Sequence, residues 1–60
     1  MSNKENALKI LNFMIEKHRV NIHYLNTFSP KTEEQQLSYN KSLKAIQTYT
    51  ETKQQISNNQ

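Results

Sequence analysis

Sixty residues leave room for one domain at most, and the absence of Cys and Gly with a single Pro excludes disulfide scaffolds, thiol chemistry and glycine-built phosphate loops. The formal net charge is +3, from 8 basic and 5 acidic residues, and with one Arg in a scattered basic set it is too mild to mark a dedicated nucleic-acid binder. Asp is absent, Asn and Gln are plentiful and 33% of residues are hydrophobic, so the chain reads as a helical pair with little apolar material to bury.

The first helix is predicted over residues 3–25. Ser2-x-x-Glu5 has the form of a capping box, and Glu5 with Lys9 makes a favourable i, i+4 pair. Leu8, Leu11, Ile15, Ile22 and Leu25, with His18 filling the gap, recur at spacings of three and four, the pattern of a heptad-like seam. Ala7, Ile10 and Met14 widen this into a broad apolar arc, with Asn21 at its edge. Phe13, Val20 and Tyr24 fall outside the arc and form a second stripe on its flank, and Lys9, Asn12, Glu16, Arg19 and His23 make up the polar side.

A turn is predicted over residues 26–29, where Asn26, Thr27 and Ser29 replace the periodic pattern. Ser29 followed by Pro30 reads as an N-cap and first helical residue, and Glu33 and Glu34 suit the positive end of a helix dipole. The second helix is predicted over residues 30–55, with a thinner stripe of Tyr39, Leu43, Ile46 and Tyr49, followed by a frayed tail at 56–60.

These elements imply an all-α single domain, an antiparallel two-helix hairpin. The first helix is apolar over more of its circumference than one narrow partner stripe covers. Dimerisation into a four-helix bundle is therefore expected. Its core and self-association set is Leu8, Leu11, Ile15, His18, Ile22, Leu25, Tyr39, Leu43, Ile46 and Tyr49. Phe13, Val20 and Tyr24 are the candidate partner-binding residues, either as aromatic anchors for another protein or as a second bundle seam.

Chemistry is thinly represented. The chain has no Gly-rich phosphate loop, no His-Glu-x-x-His and no nucleophile elbow, and its five carboxylates are dispersed Glu residues apart from the Glu33-Glu34 pair. His18 and His23 are five residues apart, which does not suit a metal pair on one helix face. No enzyme activity, cofactor or metal is expected. The residues 7–15 are apolar-rich but too short to span a bilayer, so no membrane association is expected.

Ile15-Glu16-x-x-Arg19, then Leu37-Ser38 and Ile46-x-x-Tyr49, faintly resemble small sporulation-type aspartyl-phosphate phosphatases, which are helical hairpins of similar length. That family carries a Ser-Gln-Glu-Leu-Asp signature in its second helix. Here the stretch reads Ser38-Tyr39-Asn40-Lys41-Ser42-Leu43 and Asp is absent, so the resemblance implies the hairpin and does not carry the activity.

The expected function is that of a small regulatory or inhibitory protein that binds another protein through its first helix and is itself homodimeric. The Asn-, Lys- and Ile-rich composition resembles proteins of low-GC bacteria and their phages, which makes the bacterial or host-cell cytoplasm the expected compartment. Three alternatives stand beside it. One is a nucleic-acid-associated module using Lys9, Arg19, Lys41 and Lys44, another is a structural subunit of a larger assembly, and the third, which rests on the resemblance alone, is an aspartyl-phosphate phosphatase-like regulator.

Overall fold

A computed structural model describes residues 2–58. Two helices account for nearly all of them: α1 over Asn3–Leu25 and α2 over Glu33–Asn58. Across the pair, Asn12 meets Lys53, His18 meets Ser42 and Asn21 meets Ser38. The partners run in opposite directions, so the hairpin is antiparallel. Its extents of 45 × 17 × 12 Å describe a rod, and its radius of gyration of 14.0 Å exceeds the roughly 10 Å of a compact domain of this length.

The start of α1 is set by Ser2, whose hydroxyl accepts from the Glu5 backbone N–H at 3.1 Å. Its last turn is closed by Thr27, whose backbone N–H and hydroxyl both donate to the Tyr24 carbonyl at 3.1 and 2.7 Å. Phe28 then folds back edge-to-face on Tyr24, with ring centroids 5.2 Å apart.

The connection is longer than the turn predicted at 26–29, and α2 begins at Glu33 rather than at Pro30. Ser29–Pro30 is a cis peptide and lies within the connection. The cap is Thr32. Its hydroxyl accepts from Gln35 N–H at 3.1 Å, and its own N–H donates to Gln35 Oε1 at 2.8 Å. This reciprocal Thr-x-x-Gln box satisfies two otherwise free N–H groups, so the helix starts behind it. Lys31, just before the cap, holds its ammonium 5.0 Å from the Tyr39 ring centroid.

At the other end α2 continues to Asn58, past the expected stop at 55. Ile56 is half-buried at the next seam position after Tyr49 and Lys53, and this anchors the final turn. Of the tail expected to fray, Ile56, Ser57 and Asn58 are helical, and residues 59–60 lie outside the described residues, as does Met1.

The interface keeps a 3-4 spacing on both helices. From α1 it takes Leu8, Leu11, Ile15, His18, Ile22 and Leu25, with Ala7, Met14 and Asn21 beside them. From α2 it takes Gln35, Tyr39, Ser42, Ile46, Tyr49, Lys53 and Ile56. Leu43 is not a seam residue. It is 45% exposed, because the 3-4 register that carries Tyr39 and Ile46 inward selects Ser42 and turns Leu43 out. Leu37 is exposed as well. Ile15 and Leu25 are the buried apolar residues among those described, a core worth only a few kcal/mol at about 1.5–3 kcal/mol per side chain.

With so small a core, each cap matters. Thr32→Ala is expected to cost about 1 kcal/mol and to lower the melting temperature by about 4–8 °C, while Thr32→Ser retains wild-type stability; thermal circular dichroism of the three proteins measures both.

Candidate functional site

Two features stand out on this frame, a polar cluster inside the seam and an apolar stripe outside it. The cluster is centred on Ser42, the one buried polar residue among those described. Asn21 Nδ2 donates to Ser42 Oγ at 2.9 Å and to Ser38 Oγ at 3.2 Å. His18 Nδ1 lies 3.1 Å from the same Ser42 oxygen. The Ser42 hydroxyl can both accept and donate, so it accepts from Asn21 and shares a further hydrogen bond with His18 Nδ1 whose direction follows the imidazole tautomer. Tyr49 adds a tilted ring 6.0 Å from the His18 ring. Among the described residues no buried side-chain nitrogen or oxygen is left without a partner.

A Ser hydroxyl beside a His nitrogen has the form of a nucleophile and its base. Ser42 is buried where the two helices meet, and the second group on its oxygen is the Asn21 amide, which holds the pair in place. The cluster locks the two helices in one register.

The stripe lies on α1. Ile10, Phe13, Val20 and Tyr24 are between 59% and 68% exposed. With Lys17 they recur at 10, 13, 17, 20 and 24, a second 3-4-3-4 line down the same helix. Ile10 belongs to this line and not to the packing arc where the sequence reading puts it. At ~100° per residue it sits roughly 60° from Phe13 and roughly 80° from His18 at the centre of the seam. The repeat was readable from the 3- and 7-residue spacings to Phe13 and Lys17.

Between the stripe and α2 runs an open groove of about 560 Å³. Val20 and Tyr24 form its apolar wall on α1, Ser38 and Lys41 border it on α2, and Lys17 stands at its rim. Its floor is the polar cluster of His18, Asn21 and Ser42. A shallower notch of about 330 Å³ continues along α1 between Phe13 and Val20, beside Glu16 and Lys17. Glu16 makes a 4.0 Å contact with Arg19 on the exposed side of the helix, an arrangement that contributes little to stability.

The remaining sequence candidates disperse. Lys9 and Arg19 are exposed on α1, and Lys41 and Lys44 are exposed on α2. His23 is exposed, on the opposite side of α1 from Asn21. Among the described residues no three His or Glu side chains gather as metal ligands would, and no helix is long and apolar enough to cross a membrane. No family model matches the chain, and no curated protein or solved structure is significantly similar to it.

The cluster predicts non-additive energetics. Asn21→Ala removes the donor shared by two hydroxyls and is expected to cost about 1–2 kcal/mol. In chemical denaturation, Asn21→Ala combined with Ser42→Ala should cost less than the sum of the two single changes, because the pair acts as one unit.

Proposed function

We propose that this chain is a small, non-enzymatic regulatory or inhibitory protein of the cytoplasm that binds another protein through the exposed flank of α1. The observation that carries this reading is the line of Ile10, Phe13, Val20 and Tyr24. Four large apolar side chains stand in water along one helix, while only two apolar residues among those described are buried. Apolar surface arranged in a contiguous line costs solubility without contributing to the fold, and its ordinary use is to meet another macromolecule. Two of the four are aromatic, the residue type that dominates protein interfaces.

Self-association is the second reading, and the same stripe supports it. Self-association through the stripe is one route to the four-helix bundle expected from the sequence. The broad arc of α1 is occupied by α2 of the same chain, and the stripe lies roughly 140° further round the helix at ~100° per residue. A second copy docked there stacks outside α1.

The test is the triple variant Phe13→Ser, Val20→Ser, Tyr24→Ser. Because the first two side chains contact little else and Tyr24 contacts chiefly Phe28, the variant is expected to keep its helicity, with a stability change of about 1 kcal/mol or less. It is expected to lose any protein that the wild-type chain retains from a lysate of its source cell. Loss of helicity would return these residues to the core. Sedimentation of the wild type over a concentration series separates self-association from capture of a different protein.

A further inference from the structure

The groove beside the stripe carries a charge pattern that narrows the partner. Its two charged lining residues are Lys17 on α1 and Lys41 on α2, and no carboxylate lines it. Among the described residues neither lysine has a carboxylate partner. The apolar part of the lining is Val20 and Tyr24, on the same line of α1 as Lys17, and Leu37, one turn before Lys41, is exposed on α2. A trough with an apolar wall, a polar floor and two unpaired ammonium groups on its borders is the complement of an amphipathic ridge that carries apolar side chains beside carboxylates.

Resting on the reading of this flank as a protein-docking surface, we propose that the groove between α1 and α2 takes an acidic amphipathic helix of a partner protein. The partner's apolar ridge seats on Val20 and Tyr24, and its flanking Glu or Asp residues meet Lys17 and Lys41. The helix-in-groove mode fits the shape, since a ridge of side chains at i, i+3, i+4 and i+7 fills an open trough. A second copy fits less well. Its own stripe carries Lys17 in the centre, so pairing stripe to stripe brings like charges together. A membrane surface also fits less well, because a flat bilayer does not fill a concave trough with a polar floor. Phosphates of a nucleic acid satisfy the lysines but leave Val20, Tyr24 and Phe13 without an apolar counterpart.

The experiment uses the full chain and two stapled helical peptides that share one Leu ridge. One is flanked by Glu and the other by Lys, and binding is read by fluorescence anisotropy. The Glu peptide is expected to bind, to weaken as salt rises, and to lose roughly tenfold or more in affinity to the Lys17→Glu, Lys41→Glu double variant. Both lysine side chains reach into solvent, so that variant is expected to keep the wild-type melting curve, which is recorded alongside. Equal binding of the Glu and Lys peptides overturns the proposal, as does no binding of the Glu peptide at concentrations up to ~1 mM. Preferential binding of phosphatidylglycerol vesicles or a DNA duplex, or a wild-type dimer that excludes the Glu peptide, overturns it too. The Phe13, Val20, Tyr24 triple-Ser variant keeps the two readings apart. If it loses both peptides while they bind the wild type equally, the flank docks proteins and the charge assignment is wrong. If it binds them as the wild type does, the flank reading itself falls.

Discussion

Ser42 Oγ lies within hydrogen-bonding distance of both Asn21 and His18, and the geometry of the hairpin hangs on that shared atom. Apolar burial is non-directional, and here it is sparse: among the described residues Ile15 and Leu25 are the buried apolar ones. Two helices held only by such contacts are free to slide by a turn at little cost. Hydrogen bonds are directional and lose their strength steeply when misaligned. A one-turn slip would carry Ser42 away from Asn21 and His18 and leave polar atoms enclosed without partners, which costs more than the bonds themselves contribute. The register set at Ser42 then fixes the other cross-helix contacts, from Asn21 with Ser38 near the closed end to Asn12 with Lys53 near the open one.

The two helices differed in how far their sequence exposed them. The seam of α1 is written in Leu and Ile at 3-4 spacing, with His18 as a single polar interruption, and both helix and inward face were readable. In α2 the inward positions include Gln35, Ser42 and Lys53, while the apolar Leu37 and Leu43 point outward. A hydrophobicity pattern therefore picks Leu43 over Ser42, although strict 3-4 spacing from Tyr39 to Ile46 passes through position 42. The start of α2 was obscured in the same way. Ser29-Pro30 is a strong local start signal, yet Thr32 and Gln35 form the box that caps the helix. The polar cluster was legible only in fragments, because Asn21 and His18 could be placed near a seam while their partners, two serines on a polar helix, carry no distinguishing signal of their own.

The division of α1 into two faces accounts for the character of the molecule. One face is bound to α2 through a seam that is part apolar and part hydrogen-bonded. The other, with Ile10, Phe13, Val20 and Tyr24, is richer in large exposed side chains than the core is in buried ones. The partition is not the one that would maximise the stability of an isolated hairpin, which would place Phe13 and Tyr24 inside and Ser42 and Asn21 outside. The seam instead supplies a definite register at modest stability, and the larger apolar groups remain on the surface. Edge-to-face packing of Phe28 on Tyr24 steadies one end of that surface against the closed end of the hairpin.

The narrowness of the rod has a steric consequence. A cross-section of 17 × 12 Å with a length of 45 Å gives this chain access to crevices that exclude a rounded domain of the same mass. Slotted lengthwise into such a crevice, α1 would touch one wall with its aromatic line while α2 faced the other.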